Sequence, residues 1–118
     1  MHLQPYRCWV NPPYGAETAV WLDKLSRHRH GIALIFARTE TEAWHSVVWP
    51  RAHSIFFFSQ RLWFHHPDGT LGESNAGGPS ALISYSYFDT CALERAKENG
   101  DIQGVLVRDW VGRKWPEL

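Results

Sequence analysis

Hydrophobic and polar positions along this chain switch between two periods, and the switches mark its elements. The short β-prone run Tyr6-Arg7-Cys8-Trp9-Val10 gives way, from Ala16 to Arg29, to a three- and four-residue spacing carried by Val20, Trp21, Lys24, Leu25 and His28, with Ala19 and Leu22 widening the apolar stripe. That spacing predicts an amphipathic helix. Gly31 breaks it, and Ile32-Ala33-Leu34-Ile35-Phe36-Ala37 is then apolar without interruption, the pattern of a strand covered on both faces in a parallel sheet. Strand, helix and strand together predict a βαβ unit.

Beyond it, Thr39 or Thr41 can cap a short helix over about Glu42 to Val48, which Pro50 stops. Ser54 to Phe58 reads as a third strand, with Arg61-Leu62-Trp63-Phe64 extending it past a kink. His65 to Pro79 is rich in Gly, Asp, Asn, Ser and Pro, and is expected to be an exposed loop. Ser80 to Tyr87 is a fourth strand that closes a hairpin with the third. Asp89 is the expected N-cap of a helix from Cys91 to Asn99 that Gly100 ends. In the tail, Val105-Leu106-Val107 suits an edge strand, and Trp110 and Trp115 suit anchors to the body.

Composition narrows the class more than the chemistry. A chain of 118 residues predicts one domain over 1–118, with a core at about 6–87 and a helix and tail at 89–118. Its hydrophobic fraction of 44% excludes a disordered chain. It has no long apolar run and no leader pattern, and Cys8 and Cys91 are too few for a disulfide framework, so a cytoplasmic location is expected. Twelve basic and twelve acidic residues cancel, so any contact with DNA must come from a local patch.

The chemistry gathers at Asn11-Pro12-Pro13-Tyr14. Both prolines fix φ and lack an N–H, so the loop presents carbonyl acceptors without competing donors. Asn11 adds an amide oxygen and Tyr14 a flat ring, and two acceptors beside a stacking plane suit the exocyclic amino group of an adenine taken out of its duplex. The plainer reading is a rigid turn or an extended proline-type ligand. Arg38 and Arg61 fall at or just beyond strand ends, where each is either a phosphate contact or half of a surface ion pair. Seven histidines raise zinc, but the spacings His28/His30 and His65-His66 match no structural zinc motif, and no metal is expected.

Several segments in order resemble the phage-type DNA N6-adenine methyltransferases. These are the Asn-Pro-Pro-Tyr-Gly motif, the helix, the apolar strand, Ala37-Arg38-Thr39-Glu40-Thr41 with Trp44-His45, Arg61-Leu62-Trp63-Phe64, and Pro79-Ser80-Ala81-Leu82-Ile83. The resemblance runs from about Trp9 to Tyr87. It implies an α/β fold, a partial doubly wound Rossmann-like sheet, mostly parallel with a C-terminal antiparallel hairpin. The implied activity is adenine-specific DNA methylation, as the enzyme or as its target-base half, in a bacterial or phage-infected cell. Asn11, Pro12, Pro13 and Tyr14 would be catalytic, Arg38 and Arg61 substrate-binding, S-adenosyl-L-methionine the cofactor and DNA the partner.

Only ten residues precede Asn11, without Asp, Glu or Gly, whereas the family places acidic cofactor contacts ahead of this motif. The expectation is therefore a chain without the cofactor-binding half, which binds S-adenosylmethionine weakly by itself. Such a chain would be completed by a second chain or would self-associate. The alternative from a different class is an inactive remnant that serves as a binding or self-association module.

Overall fold

The computed structural model describes residues 7–13, 15–65, 71–75 and 78–114, with the backbone alone for 63–65 and 71–75. Five strands form the main sheet: β1 (Cys8–Val10), β2 (Gly31–Phe36), β3 (Ser54–Phe58), β6 (Ser80–Ser84) and β7 (Gly104–Arg108), in the spatial order β1-β2-β6-β3-β7. Two more, β4 (Trp63–His65) and β5 (Leu71–Asn75), pair as a separate antiparallel ribbon. The helices are α1 (Ala16–His28) and α2 (Tyr87–Glu98), and a π-helical turn spans Trp44–Val48.

The βαβ unit is present, since β1 and β2 pair in parallel around the α1 crossover. The expectation of a mostly parallel sheet is wrong. Only β1–β2 is parallel, and the pairs β2–β6, β6–β3 and β3–β7 are all antiparallel. The physical reason lies in the connections. Among the described residues no crossover helix joins β3 to β6, and β6 returns antiparallel and slots between β2 and β3. Because β6 opposes both neighbours, β2 and β3 still run in the same direction as β1. An uninterrupted apolar run reports that β2 is an interior strand, but not which way its neighbour points.

Other boundaries shift for local reasons. α1 stops at His28 because Arg29 takes a left-handed conformation at φ 61°, its N–H donating to the Leu25 carbonyl. Val20, expected in the apolar stripe, is exposed, and the inner face is carried by Leu22, Leu25 and Ser26. The stretch 65–79 is not simply a loop, since β5 lies inside it, and residues 61–64 do not prolong β3 but enter the separate ribbon. The cap of α2 is Ser86 rather than Asp89: the Ser86 hydroxyl accepts from the Asp89 N–H and donates to its carboxylate at 2.6 Å. β7 forms the expected edge, and the Trp110 indole donates to the Trp49 carbonyl, anchoring the tail; Trp115 lies outside the described residues.

The sheet is covered on both faces. Gly31, Ala33 and Ile35 of β2 turn toward α1 and the π-helical turn, where Leu22, Leu25, Trp44, Val47, Val48 and Tyr85 complete a core. The Tyr85 hydroxyl donates to the Val47 carbonyl, and burial pushes its phenol far above the ordinary range. On the other face Leu93 of α2 packs on Phe56 and Leu82. Gly31 sits at φ +151°, and a Cβ there would strike the Cys8 carbonyl, so only glycine lets β1 approach β2 this closely.

At the amino ends of β2 and β3, the end away from the Asn11 loop, α2 is held by hydrogen bonds rather than by apolar contact. The hydroxyls of Ser54, Ser84 and Thr90, all fully buried, meet at 2.6–2.9 Å, and His53 Nδ1 lies 2.7 Å from Thr90 Oγ1. Beside them the buried Asp89 carboxylate accepts from the Gly31 N–H and from Arg7. Thr90→Val keeps the shape but strands three polar partners, and should lower unfolding stability by about 1–3 kcal/mol. Combining it with Ser54→Ala and Ser84→Ala removes two of those partners and leaves His53, and should leave the triple variant more stable than the three single losses sum to. Urea denaturation of the wild type, the three single variants and the triple variant measures the difference.

Candidate functional site

Because β1, β2 and β3 share one direction, their carboxyl ends at Val10, Phe36 and Phe58 lie on one edge of the sheet. Asn11, Arg38 and Arg61 follow those three ends in turn. The topology thus brings the predicted residues to a common side, although β6 is reversed between them. Arg61 is exposed beyond β3, and Arg38 is exposed with its guanidinium 5.2 Å from the Phe36 ring centre. Tyr14 lies outside the described residues.

The described residues of the loop from Asn11 to Gly15 are constrained on both sides of Tyr14. Pro12 is buried between the exposed Asn11 and Pro13. At its far end Gly15 adopts φ 97° and ψ −148°, a region open essentially to glycine alone, and so turns the chain into α1. A Cβ at Gly15 would meet no neighbouring atom, so the requirement there is conformational and not one of space. Finally, the Thr18 hydroxyl in the first turn of α1 donates to the Pro13 carbonyl at 2.6 Å. Among the described residues, no hydrogen-bond partner occupies the Asn11 side chain.

Two hollows flank this loop. The smaller, about 290 Å³, lies against Asn11, Pro12 and Pro13 themselves and is walled by Cys8, Trp9, Val10 and Trp21. The larger, about 720 Å³, opens beyond Gly15 and has the size of a small-molecule site. Its interior is apolar, built from Ala16 and Ala19 of α1, Ile35 and Phe36 of β2, and Ala43 and Trp44. Its polar groups are Thr18, Arg38, Thr41 and Glu42, so a cation and an anion share one cavity.

The cavity walls are held stiffly. Trp44 is buried, donates its indole N–H to the Phe36 carbonyl at 3.1 Å, and stacks on Phe57 with centroids 6.0 Å apart. The π-helical turn adds one residue to its ladder, with the Trp49 N–H reaching back to the Trp44 carbonyl, a device often found beside functional sites. Arg51, just past that turn, ties it to α1 by bonding Asp23 at 2.6 Å and the Ser26 hydroxyl at 3.2 Å. The expected side-chain cap by Thr39 or Thr41 is not made: the Thr41 hydroxyl donates back to the Arg38 carbonyl, and the turn starts without a side-chain cap bond. Among the described residues, no group of three His, Cys, Asp or Glu side chains is placed to hold a metal ion.

Sequence reading missed Thr18, Glu42 and the cavity role of Trp44. Thr18 lies five residues from Pro13, and only the Gly15 turn makes the two meet. Glu42 and Trp44 bore the marks of an ordinary short helix, and nothing in their spacing pointed to a cavity.

The Arg51 and Arg27 guanidinium groups beside Asp23 hold its carboxyl below the usual aspartate value of 3.8. A carboxyl depressed in the folded state adds stability above its unfolded pKa, and that stability is lost as pH falls through the folded value. Acid unfolding of the wild type should therefore steepen below about pH 4, and Asp23→Asn should flatten that limb. Because Asp23 is partly exposed, the effect should stay below about 1 kcal/mol. Denaturant midpoints measured from pH 2 to pH 7 test both statements. No protein-family model, curated protein or solved structure matches this chain.

Proposed function

We propose that the Asn11-Pro12-Pro13 loop recognises the exocyclic amino group of an adenine in DNA, as the target-base element of an S-adenosylmethionine-dependent adenine-N6 methyltransferase. The observation that carries this reading is the constrained acceptor loop at the carboxyl end of β1, with a 720 Å³ cavity immediately beyond it. The sheet order adds support. Three like-directed strands with a reversed strand wedged before the last are what a methyltransferase-type doubly wound sheet with a reversed final hairpin requires.

In this reading the amino hydrogens of the flipped base bond to the Asn11 amide oxygen and the Pro12 carbonyl. That arrangement favours a pyramidal nitrogen and orients its lone pair. A neutral amide is a weak base, so the proton leaves afterwards to solvent. Tyr14 stacks on the base, and Arg38 and Arg61 contact the flanking phosphates.

The methyl donor is a different matter. The hollow against Asn11 is lined by Cys8, Trp9, Val10, Pro12, Pro13 and Trp21 and carries no charged side chain. That hollow therefore does not fit the ribose and amino-acid ends of S-adenosylmethionine, and no step is assigned to that group. A specific observation also favours the second reading, an inactive self-associating module. Trp9 is 63% exposed on β1, the edge strand among the described residues.

The test is a duplex with 2-aminopurine next to the target adenine, whose fluorescence rises when that adenine leaves the stack. Asn11→Ala should abolish the rise and, wherever methyl transfer to adenine is measurable, cost on the order of a hundredfold in rate. Tyr14→Ala should weaken base capture by about 1–3 kcal/mol, and Tyr14→Phe should keep most of it. Near-full adenine methylation by Asn11→Ala would retire the reading. For the second reading, light scattering should show a mass above one chain that falls on dilution.

A further inference from the structure

The Asn-Pro-Pro loop has more acceptors than an amine has hydrogens. Asn11 offers its amide oxygen, and Pro12 and Pro13 each offer a carbonyl with no N–H of their own to turn the chain back on itself. An amino group brings two hydrogens, so three unrestrained acceptors would let it bind in more than one register. The 2.6 Å hydrogen bond from Thr18 Oγ1 to the Pro13 carbonyl removes that ambiguity. We propose that Thr18 is the positioning residue of this loop: its hydroxyl withdraws the Pro13 carbonyl and leaves Asn11 and Pro12 as the pair presented to the amine. The proposal rests on the amine-recognition reading above.

Three observations carry it. Thr18 is tied to the loop twice, by its side chain to Pro13 and by its own N–H to the Gly15 carbonyl at 3.1 Å, so the hydroxyl is held at a fixed place. It also lines the larger cavity that opens beyond Gly15, so the hydroxyl that bonds the loop sits between the loop and that space. And Thr is a poor choice for helix stability at this site, because β-branched residues lower helix propensity relative to Ala. Its hydroxyl is spent on the loop, through the Pro13 carbonyl, and not within the helix. Through Pro13 the bond also fixes the peptide plane leading into Tyr14.

The experiment uses the full chain, isotopically labelled, as wild type, Thr18→Val and Thr18→Ser. Valine keeps the branched shape without the donor, and serine keeps the donor without the methyl. The probe is single-stranded oligodeoxyadenylate, titrated while the Asn11 side-chain amide and Pro13 carbonyl resonances are followed, and thermal melting is recorded alongside. Thr18→Val should shift the Pro13 carbonyl signal and weaken binding about five- to tenfold with melting unchanged, the ordinary worth of one hydrogen bond. Thr18→Ser should restore both to within about twofold. Wild-type affinity in Thr18→Val overturns the proposal, and so does a Thr18→Ser protein that stays as weak as valine, since the methyl would then be responsible. If none of the three proteins binds the probe, the amine reading fails separately. The loop then decides: Asn11 amide signals that move with valine and return with serine support the clamp, and signals that stay in place overturn it.

Discussion

The insertion of β6 between β2 and β3 is the constraint on which the rest of this structure depends. β6 is buried along its whole length and pairs on both sides, with Ile83 opposite Ala33 on one edge and Ile55 on the other. A strand with two antiparallel partners forces those partners to run alike. That is why the carboxyl ends of β1, β2 and β3 face one way, and why Asn11, Arg38 and Arg61 share an edge. Without β6 there would be no single edge for a site.

Two kinds of interaction then divide the molecule. At the end away from the Asn11 loop, α2 is fastened by the Ser54–Ser84–Thr90 hydroxyl cluster and by Asp89, which reach their partners inside a nearly dry interior. Low local dielectric strengthens such bonds and makes a missing partner costly, so this end has one arrangement. At the other end the constraints are steric and conformational: two proline rings, one glycine at positive φ, and a single hydroxyl on Pro13. They leave Asn11 pointing at solvent without a partner among the described residues. A rigid loop whose exposed acceptors meet water and not protein keeps them available to a ligand at little ordering cost.

How much of this could be read from the residues follows from what each pattern reports. Periodicity marks burial, so the strands at β2 and β3 and the helix α1 were legible, as was the place of Asn11 after a strand. Direction is a property of connections: 65–79 looked like plain loop because β5, Leu-Gly-Glu-Ser-Asn, has no apolar alternation, and so the cue for a returning antiparallel strand was weak. Ser86 lost the cap to Asp89 on paper because either residue type serves, and only the backbone at φ −147° marks the cap. The cavity was not legible, since its walls come from three elements 16–19, 35–38 and 41–44, and their convergence depends on the Asp23–Arg51 tie and on the Trp44 indole bond.

Charge sets what kind of recognition this site can perform. With twelve cations against twelve anions the molecule has no long-range field to draw a polyanion in, and Arg38 at the loop end shares its cavity with Glu42. Non-specific attraction to phosphates is therefore weak, and on the reading proposed above binding would rest on short-range terms that work only at contact: stacking on an aromatic face and hydrogen bonds to a fixed pair of acceptors. Those terms are strongly directional, losing most of their value over a displacement of about half an ångström. A site that relies on them gains from a loop held by prolines, a positive-φ glycine and a hydroxyl clamp, and would gain little from a flexible one. The stiffness of the Asn11 loop and the neutrality of the chain are two sides of the same physical requirement.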